Sequence, residues 1–333
     1  MAAEKIYVAE FENHIGDLIE GFFMVEQVAL YLSKDKNAWV SFILKDKTGR
    51  IHAKMWKEHL IEGFDYESLT GKVVSINAMV EVYNGEASLA LHRVEEADAE
   101  NVKVADFMYC LSDEERERYT KKLFEIIESV EDESVKLLLN SIFKYFIKKL
   151  CALPAGKSLH HAYNGALLVH TLEVAEIAIN TCDMATNYAK AYSMPINRDL
   201  VVAGALLHDI GKVVEYESFP GCAITLRGSL VGHLVEGVKC INSFNGMLKE
   251  RAVPTKTMNV LEHLILSSHG GEGGGLKPSI KEAIIVKNAD MMSAEVDAFD
   301  TVFWQWDEKH PTNKQNSVKN PFTGGYAMRE VLE

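Results

Sequence analysis

Side chains of the types that bind divalent cations recur through the second half of the chain at His170, His208, Asp209, His233, His269 and Asp290. The densest stretch is Ala203-Gly204-Ala205-Leu206-Leu207-His208-Asp209-Ile210-Gly211-Lys212. Its apolar part reads as a buried helix. That helix would deliver an imidazole and a carboxylate into the interior, where an unpaired Asp is costly and a metal ion is the simplest partner. For this pair alone, a helix end with a hydrogen-bonded His and a capped Asp is the favoured reading. His170 sits among Leu167, Leu168, Leu172 and Val174, a setting in which a single His is ordinarily a satisfied core residue. The set carries the argument. Successive apolar helices each contribute one or two imidazoles or carboxylates, which suggests a metal centre inside a helical bundle. Nitrogen and oxygen donors suit Mn, Fe, Zn, Ni or Co, and the lack of Cys among them argues against structural zinc.

The elements that must hold these side chains follow from periodicity. Ser112-Asp113-Glu114-Glu115 has capping-box spacing and opens a helix to about Val130, and a second runs from about Asp132 to Leu150. Leu153-Pro154-Ala155-Gly156-Lys157 interrupts the helical pattern, and His160-His161-Ala162-Tyr163-Asn164-Gly165 leads into a helix from Ala166 to about Asn187. Asn197 can cap the helix that carries His208 and Asp209. Gly228-Ser229-Leu230-Val231-Gly232-His233 opens another, with His233 in its first turn. A helix from about Thr257 to Ser268 carries His263 and precedes His269. Asp290 lies in the apolar helix beginning at Ile284.

Before about residue 97 the period changes from 3.6 to two. Gly21 to Leu32, Ala38 to Lys45, Arg50 to Trp56, Gly71 to Tyr83 and Glu86 to Val94 read as five short strands, with Asn84-Gly85 as a hairpin turn. A wide third connection suggests an OB-like Greek-key barrel, with a plain meander as the alternative. Trp39, Lys45, Lys54 and Trp56 fall on the face opposite the core. Aromatic rings that stack on bases beside cations that meet phosphates suit single-stranded nucleic acid, and a solvated charged face is the bland counterpart. The expected organisation is a barrel over residues 1–97, a linker with lead-in helices over 98–157, a helical core over 158–300 and a tail over 301–333. Phe303, Trp304 and Trp306 in that tail suit packing on the bundle or against a second copy in a homo-oligomer.

The chain has 333 residues and a formal net charge of -13. That balance counts against a protein that coats nucleic acid through general electrostatics, so any polyanion must be met locally. Five scattered cysteines without C-x-x-C fit a reducing, cytoplasmic setting. No apolar run reaches the roughly 18 residues of a membrane span, and no membrane partner is expected.

With these residues in place, the ordered set His170, His208-Asp209, Asp290 resembles the signature of HD-domain metal-dependent phosphohydrolases, which are all-helical. His160 to Leu168, Gly228 to His233 and Leu264 to Gly270 are similar to one branch, the YhaM-type 3'-to-5' exoribonucleases, which join an N-terminal OB-fold to an HD domain. The resemblance covers nearly the whole chain. It implies that His170, His208, Asp209 and Asp290 hold one metal and that Asp209 bridges to a second, for which His233 and His269 are the candidates. It also places Lys212 near the substrate phosphate. Two departures stand out: Ser268 precedes His269 where the branch usually has two histidines, and Ser293 stands where a second Asp is expected. His263 is then a substitute ligand to consider.

The expected chemistry is hydrolysis of single-stranded RNA from its 3' end by metal-activated water, with single-stranded DNA as a further substrate. Mn²⁺ is expected first, with Fe, Mg, Co, Ni or Zn as alternatives, in one or two sites. Lys212 would neutralise charge, and His160 or His161 would touch the substrate or protonate the leaving group. Two other readings stay open at this point. One is an HD hydrolase of nucleotides or cyclic dinucleotides with a regulatory barrel, and the other is a non-catalytic nucleic-acid-binding protein.

Overall fold

The computed structural model describes residues 5–329 apart from 33–37, 99–101, 157–160, 162, 218–223, 272–273, 310–314 and 322. The chain divides into two compact units, with the main boundary between Cys110 and Leu111.

The first unit is a closed five-stranded barrel built from β1 (Leu18–Leu32), β2 (Ala38–Asp46), β3 (Gly49–Trp56), β4 (Val73–Tyr83) and β5 (Glu86–Glu96). The strands follow one another around the wall as β1-β2-β3-β5-β4. β3 and β5 pair in parallel and the other neighbours are antiparallel. The Greek-key alternative therefore holds over the meander, because β5 inserts between β3 and β4. Alternation decides which side chains go in: Val40, Phe42 and Leu44 from β2 meet Ile51, Ala53 and Met55 from β3 in the core. The opposite parity, Trp39, Ser41, Ile43 and Lys45, faces out. On β4 the inward set stops at Val80, and Val82, next in the same parity, is exposed. Asn84 and Gly85 both have positive φ, the backbone of a tight two-residue hairpin turn.

The second unit is mainly helical. Ser112 accepts a hydrogen bond from the Glu115 amide in a complete capping box that starts α1 (Asp113–Glu128), and Asp132 caps α2 (Glu133–Leu150). α3 (Ala166–Asn187), α4 (Arg198–Leu207), α5 (Lys212–Glu215), α6 (Leu226–Val231), α7 (His233–Met247), α8 (Thr255–Leu266) and α9 (Lys281–Lys309) follow. Leu138, Ile142, Leu168, Ala175, Val202, Leu206, Leu261 and Val286 belong to one continuous core. At Gly204 in α4, a Cβ would lie 2.7 Å from Leu264 Cδ1, so the missing side chain sets how closely α4 and α8 approach.

Several elements differ from the sequence reading. α4 ends at Leu207, and His208 and Asp209 lie in the turn that follows it rather than within it. The expected helix through Gly228 and His233 is two helices separated at Gly232, whose φ of 77° breaks the first, and His233 is the first residue of the second. α9 runs from Lys281 to Lys309, across position 300. The tail beyond it contains a hairpin of β6 (Ser317–Lys319) and β7 (Tyr326–Met328). Arg329 lies 4.6 Å from the centre of the Phe303 ring and 2.8 Å from Asp307, while Trp304 is exposed. Among the described residues no helix is long and apolar enough to cross a membrane.

Phe42 is fully buried in the barrel. Phe42→Ala is expected to cost about 3–5 kcal/mol, measurable as a lowered urea midpoint by tryptophan fluorescence. An unchanged midpoint would contradict the assigned strand parity.

Candidate metal centre

His170 comes from the second turn of α3, His208 and Asp209 from the turn after α4, His233 from the start of α7, His269 from the turn after α8, and Asp290 from α9. The fold brings all six together. The Nε2 atoms of His170 and His208 are 3.2 Å apart. Asp290 Oδ1 lies 3.1 Å from the first and 3.7 Å from the second, and Asp209 Oδ2 lies 3.5 and 3.3 Å from them. On the other side of Asp209, its Oδ1 is 3.6 Å from His233 Nε2 and 3.8 Å from His269 Nε2, which are 2.8 Å from each other.

Each imidazole is oriented from its far nitrogen. His208 Nδ1 lies 2.7 Å from the Ala205 carbonyl, which can only accept, so the proton belongs on Nδ1. His269 Nδ1 is 3.0 Å from Asp290 Oδ2, and His233 Nδ1 is 2.9 Å from Glu215 Oε2. His170 Nδ1 is 2.9 Å from Ser293 Oγ, whose own proton goes to Glu173 Oε2 at 2.7 Å. With the Nδ1 protons of His170, His208 and His269 in hydrogen bonds, and that of His233 beside the Glu215 carboxylate without an aligned one, every Nε2 presents a lone pair. Two pairs of lone pairs then face each other at 3.2 and 2.8 Å beside two carboxylates, an arrangement that repels unless a cation lies between them.

The donor set fits a divalent cation. With ligand bonds of about 2.0–2.2 Å, adjacent donors on one ion stand roughly 2.8–3.6 Å apart, close to the separations found here. Both Asp209 oxygens are buried without an aligned hydrogen bond, although Lys212 Nζ approaches Oδ2 to 2.6 Å as an ion pair. Imidazole and carboxylate together suit borderline and hard ions.

The electrostatics point the same way. Burial alone would raise the Asp209 pKa, but Lys212 and then His208 hold it well below the usual carboxylate range. Burial would likewise raise Asp290, and the His170 and His269 rings beside it keep it low. Burial would lower His208, yet Asp209, Asp290 and the Ala205 carbonyl hold it above its ordinary value. A field that favours a proton at that ring favours any cation. Lys212, which burial would push down, is held up by Asp209.

Other residues singled out in the sequence stand outside these six. Lys212 is buried, and its Nζ also donates to the Ala155 carbonyl at 2.6 Å, so its charge is directed at Asp209 and the loop before α3. His161 is buried and turned toward α9, with its amide donating to Asp297 at 2.6 Å. His160 lies outside the described residues. Ser268 is buried with its hydroxyl on the Ile265 carbonyl, and His263 Nε2 accepts from the Ser279 amide, so neither joins the cluster. Glu215 and Glu173, which lie beside the imidazoles, carried no signal beyond that of polar helix residues, and Ser293 stood out only as a departure from an expected Asp.

On the barrel, Trp39 and Trp56 are register partners with ring centres 6.1 Å apart. Lys54 Nζ lies 5.3 Å from the first ring and 5.9 Å from the second. Tyr31 stacks on Trp39 at 4.4 Å, and Tyr83 lies 3.7 Å from Lys54 Nζ; sequence reading missed both because cross-strand neighbours depend on register. Lys45 is separated from this group, since it pairs with Arg50 at the other end of β2.

Residues 167–295 match the HD domain family model. A second model, TraI_2, which describes a helicase, matches residues 111–217. That stretch includes Gly156-Lys157-Ser158, but Cys151 stands where a phosphate-binding loop needs its first glycine. Curated relatives align along nearly the whole chain. The protein from Listeria innocua named 3'-5' exoribonuclease YhaM is 26% identical, covering 87% of this chain and 90% of its own. Those of the same name from Geobacillus sp. and Oceanobacillus iheyensis are 26% and 27% identical, covering 86% and 85% of this chain and 85% and 86% of their own. The resemblance to YhaM-type proteins thus extends over barrel and helices alike. The chain carries an HD domain and is similar to these enzymes along most of its length.

Two outcomes test the geometry. At Gly211 an added Cβ would collide with the His233 carbonyl oxygen and lie 2.6 Å from the Gly237 nitrogen. Gly211→Ala is therefore expected to displace α7, cost about 1–3 kcal/mol and weaken metal uptake, seen in thermal melts and metal analysis. Cation binding must displace protons, and the raised His208 value makes that competition begin above the ordinary histidine pKa of about 6.5. Uptake should weaken as pH falls from 8 to 6. Calorimetric titration that shows no pH dependence over this range would count against the cluster as a cation site.

Proposed function

We propose that this chain shortens single-stranded RNA from its 3' end, using cations held by His170, His208, Asp209 and Asp290 and, across Asp209, by His233 and His269. The observation that supports this most is the convergence of four imidazole lone pairs on the two oxygens of one buried carboxylate. Mn²⁺ is the ion to supply first, because the set mixes nitrogen and oxygen donors without thiolate. Bound divalent ions would lower the pKa of water to near neutrality and offset phosphate charge.

The chain's own residues divide the remaining work. Asp209 presents one oxygen to each histidine pair and so ties the two positions together. Lys212 neutralises and orients Asp209 from within the interior, acting through that carboxylate. Exposure rises across the site: the His170 and His208 side chains are 2% and 0% exposed, whereas His233 and His269 are 18% and 26% exposed. A phosphodiester therefore approaches from the His233 and His269 side. The net charge of -13 makes this local concentration of positive charge the means of attracting a polyanion.

Tyr31, Trp39, Trp56 and Tyr83 around Lys54 offer unpaired bases a stacking surface. Such contacts contribute about 1–3 kcal/mol per base and tolerate any sequence. The aromatic group gives the barrel a role in holding RNA, and the exoribonuclease name of the relatives supports the choice of substrate.

With Mn²⁺ added, 5'-labelled single-stranded RNA is expected to shorten progressively from its 3' end. RNA that stays intact with every divalent ion tried would defeat the proposal. Asp209→Ala should abolish hydrolysis while leaving RNA binding in gel-shift assays. Trp39→Ala with Trp56→Ala should raise KM for long RNA about 10-fold or more and leave hydrolysis of a small chromogenic phosphodiester unchanged. Equal losses on both substrates would remove the barrel from RNA binding.

A further inference from the structure

His161, Glu173 and Ser293 meet on the Nδ1 side of His170, opposite the nitrogen that faces the carboxylates. Ser293 Oγ lies 2.7 Å from Glu173 Oε2, 2.9 Å from His170 Nδ1 and 3.3 Å from His161 Nε2. His161 Nε2 is also 3.3 Å from Glu173 Oε2. His161 reaches this place in an uncommon backbone conformation, φ 45°, and its amide donates to Asp297 on the same face of α9, one turn beyond Ser293. A strained non-glycine residue held by two groups of one helix is overdetermined, as functional positions tend to be.

The direction of each hydrogen bond follows from chemistry. A carboxylate only accepts, so the Ser293 proton points to Glu173. The serine oxygen must then accept from His170, which places the proton on Nδ1. His161, Glu173 and His170 are also close enough to suggest a cation position of their own. The serine hydroxyl already stands among them at hydrogen-bonding distances, however, so the group is satisfied as a network.

We propose that Glu173, Ser293 and His161 are positioning residues that lock His170 in its Nδ1-protonated form, keeping its Nε2 lone pair on the cation. The assignment rests on the metal-centre reading above. Ser293 takes the place where the resemblance leads one to expect a carboxylate, and here it relays the charge of Glu173 to the histidine. Without Glu173, the serine proton is free to turn to His170 Nδ1 and drive the ring proton to Nε2, where it would compete with the cation.

The test is Mn²⁺ affinity of the full chain, by chelator competition, alongside ¹⁵N-histidine NMR of the metal-free protein to read the His170 tautomer. Glu173→Ala and Ser293→Ala are expected to weaken Mn²⁺ binding about 10–100-fold and to lose the single Nδ1-protonated form. Glu173→Gln and Ser293→Thr, which keep an acceptor and a hydroxyl, should stay near native affinity. Glu173 is 44% exposed, so its truncation tests the network even if Ser293→Ala fails to fold. Affinity of Glu173→Ala within about twofold of native, or an unchanged tautomer, would overturn the assignment. Loss of thermal stability with affinity and tautomer intact would also overturn it, marking a packing role. Native protein that takes up no Mn²⁺ would overturn this reading and the metal centre together, whereas native uptake with unchanged variants would overturn this one alone.

Discussion

The helical unit is organised around a carboxylate that it has removed from water. Asp209 is 1% exposed, and an isolated ion at that depth costs several kcal/mol. Lys212 offsets part of that cost, and the four surrounding imidazoles offer lone pairs rather than protons. Much of the local architecture can be understood as the means of holding this arrangement. α4 stops so that His208 and Asp209 leave the helix, Gly211 lets α7 come against the turn, and Gly232 ends α6 so that His233 begins a new helix.

The orienting groups are as much a part of the centre as the ligand atoms. Each far nitrogen meets a different acceptor: a backbone carbonyl for His208, carboxylates for His233 and His269, and a serine backed by a carboxylate for His170. Neutral histidines with a defined tautomer are what cation binding requires, and each far nitrogen here lies beside an acceptor within the protein.

Much of this was legible in the sequence, because the apolar context of each His and Asp announces burial and burial of such groups demands partners. The barrel strands were legible through alternation, and the caps at Ser112 and Asn197 through residue type and spacing. What could not be read depended on partners far along the chain. His161 could be read either as a substrate contact or as a helix lead-in, and Asp297, 136 positions later, turns it inward. Glu173 and Ser293 are 120 positions apart, so nothing local marks them as a pair. The end of α4 at Leu207 was hidden because no glycine or proline falls between Leu207 and Ile210 to mark it. Ser268, which departs from the branch's two histidines, bonds its own backbone, and His269 lies beside His233.

The barrel's inside-outside alternation has an implication for its tolerance to change. In β2 and β3 the core takes one parity and Trp39, Lys54 and Trp56 take the other. A slip of one residue would carry these rings inward and bring Phe42 and Met55 out, so no partial loss is open to the strand. The aromatic face is therefore inherited with the fold. Variation can erode it one ring at a time, but it cannot be rotated away while the barrel stays closed.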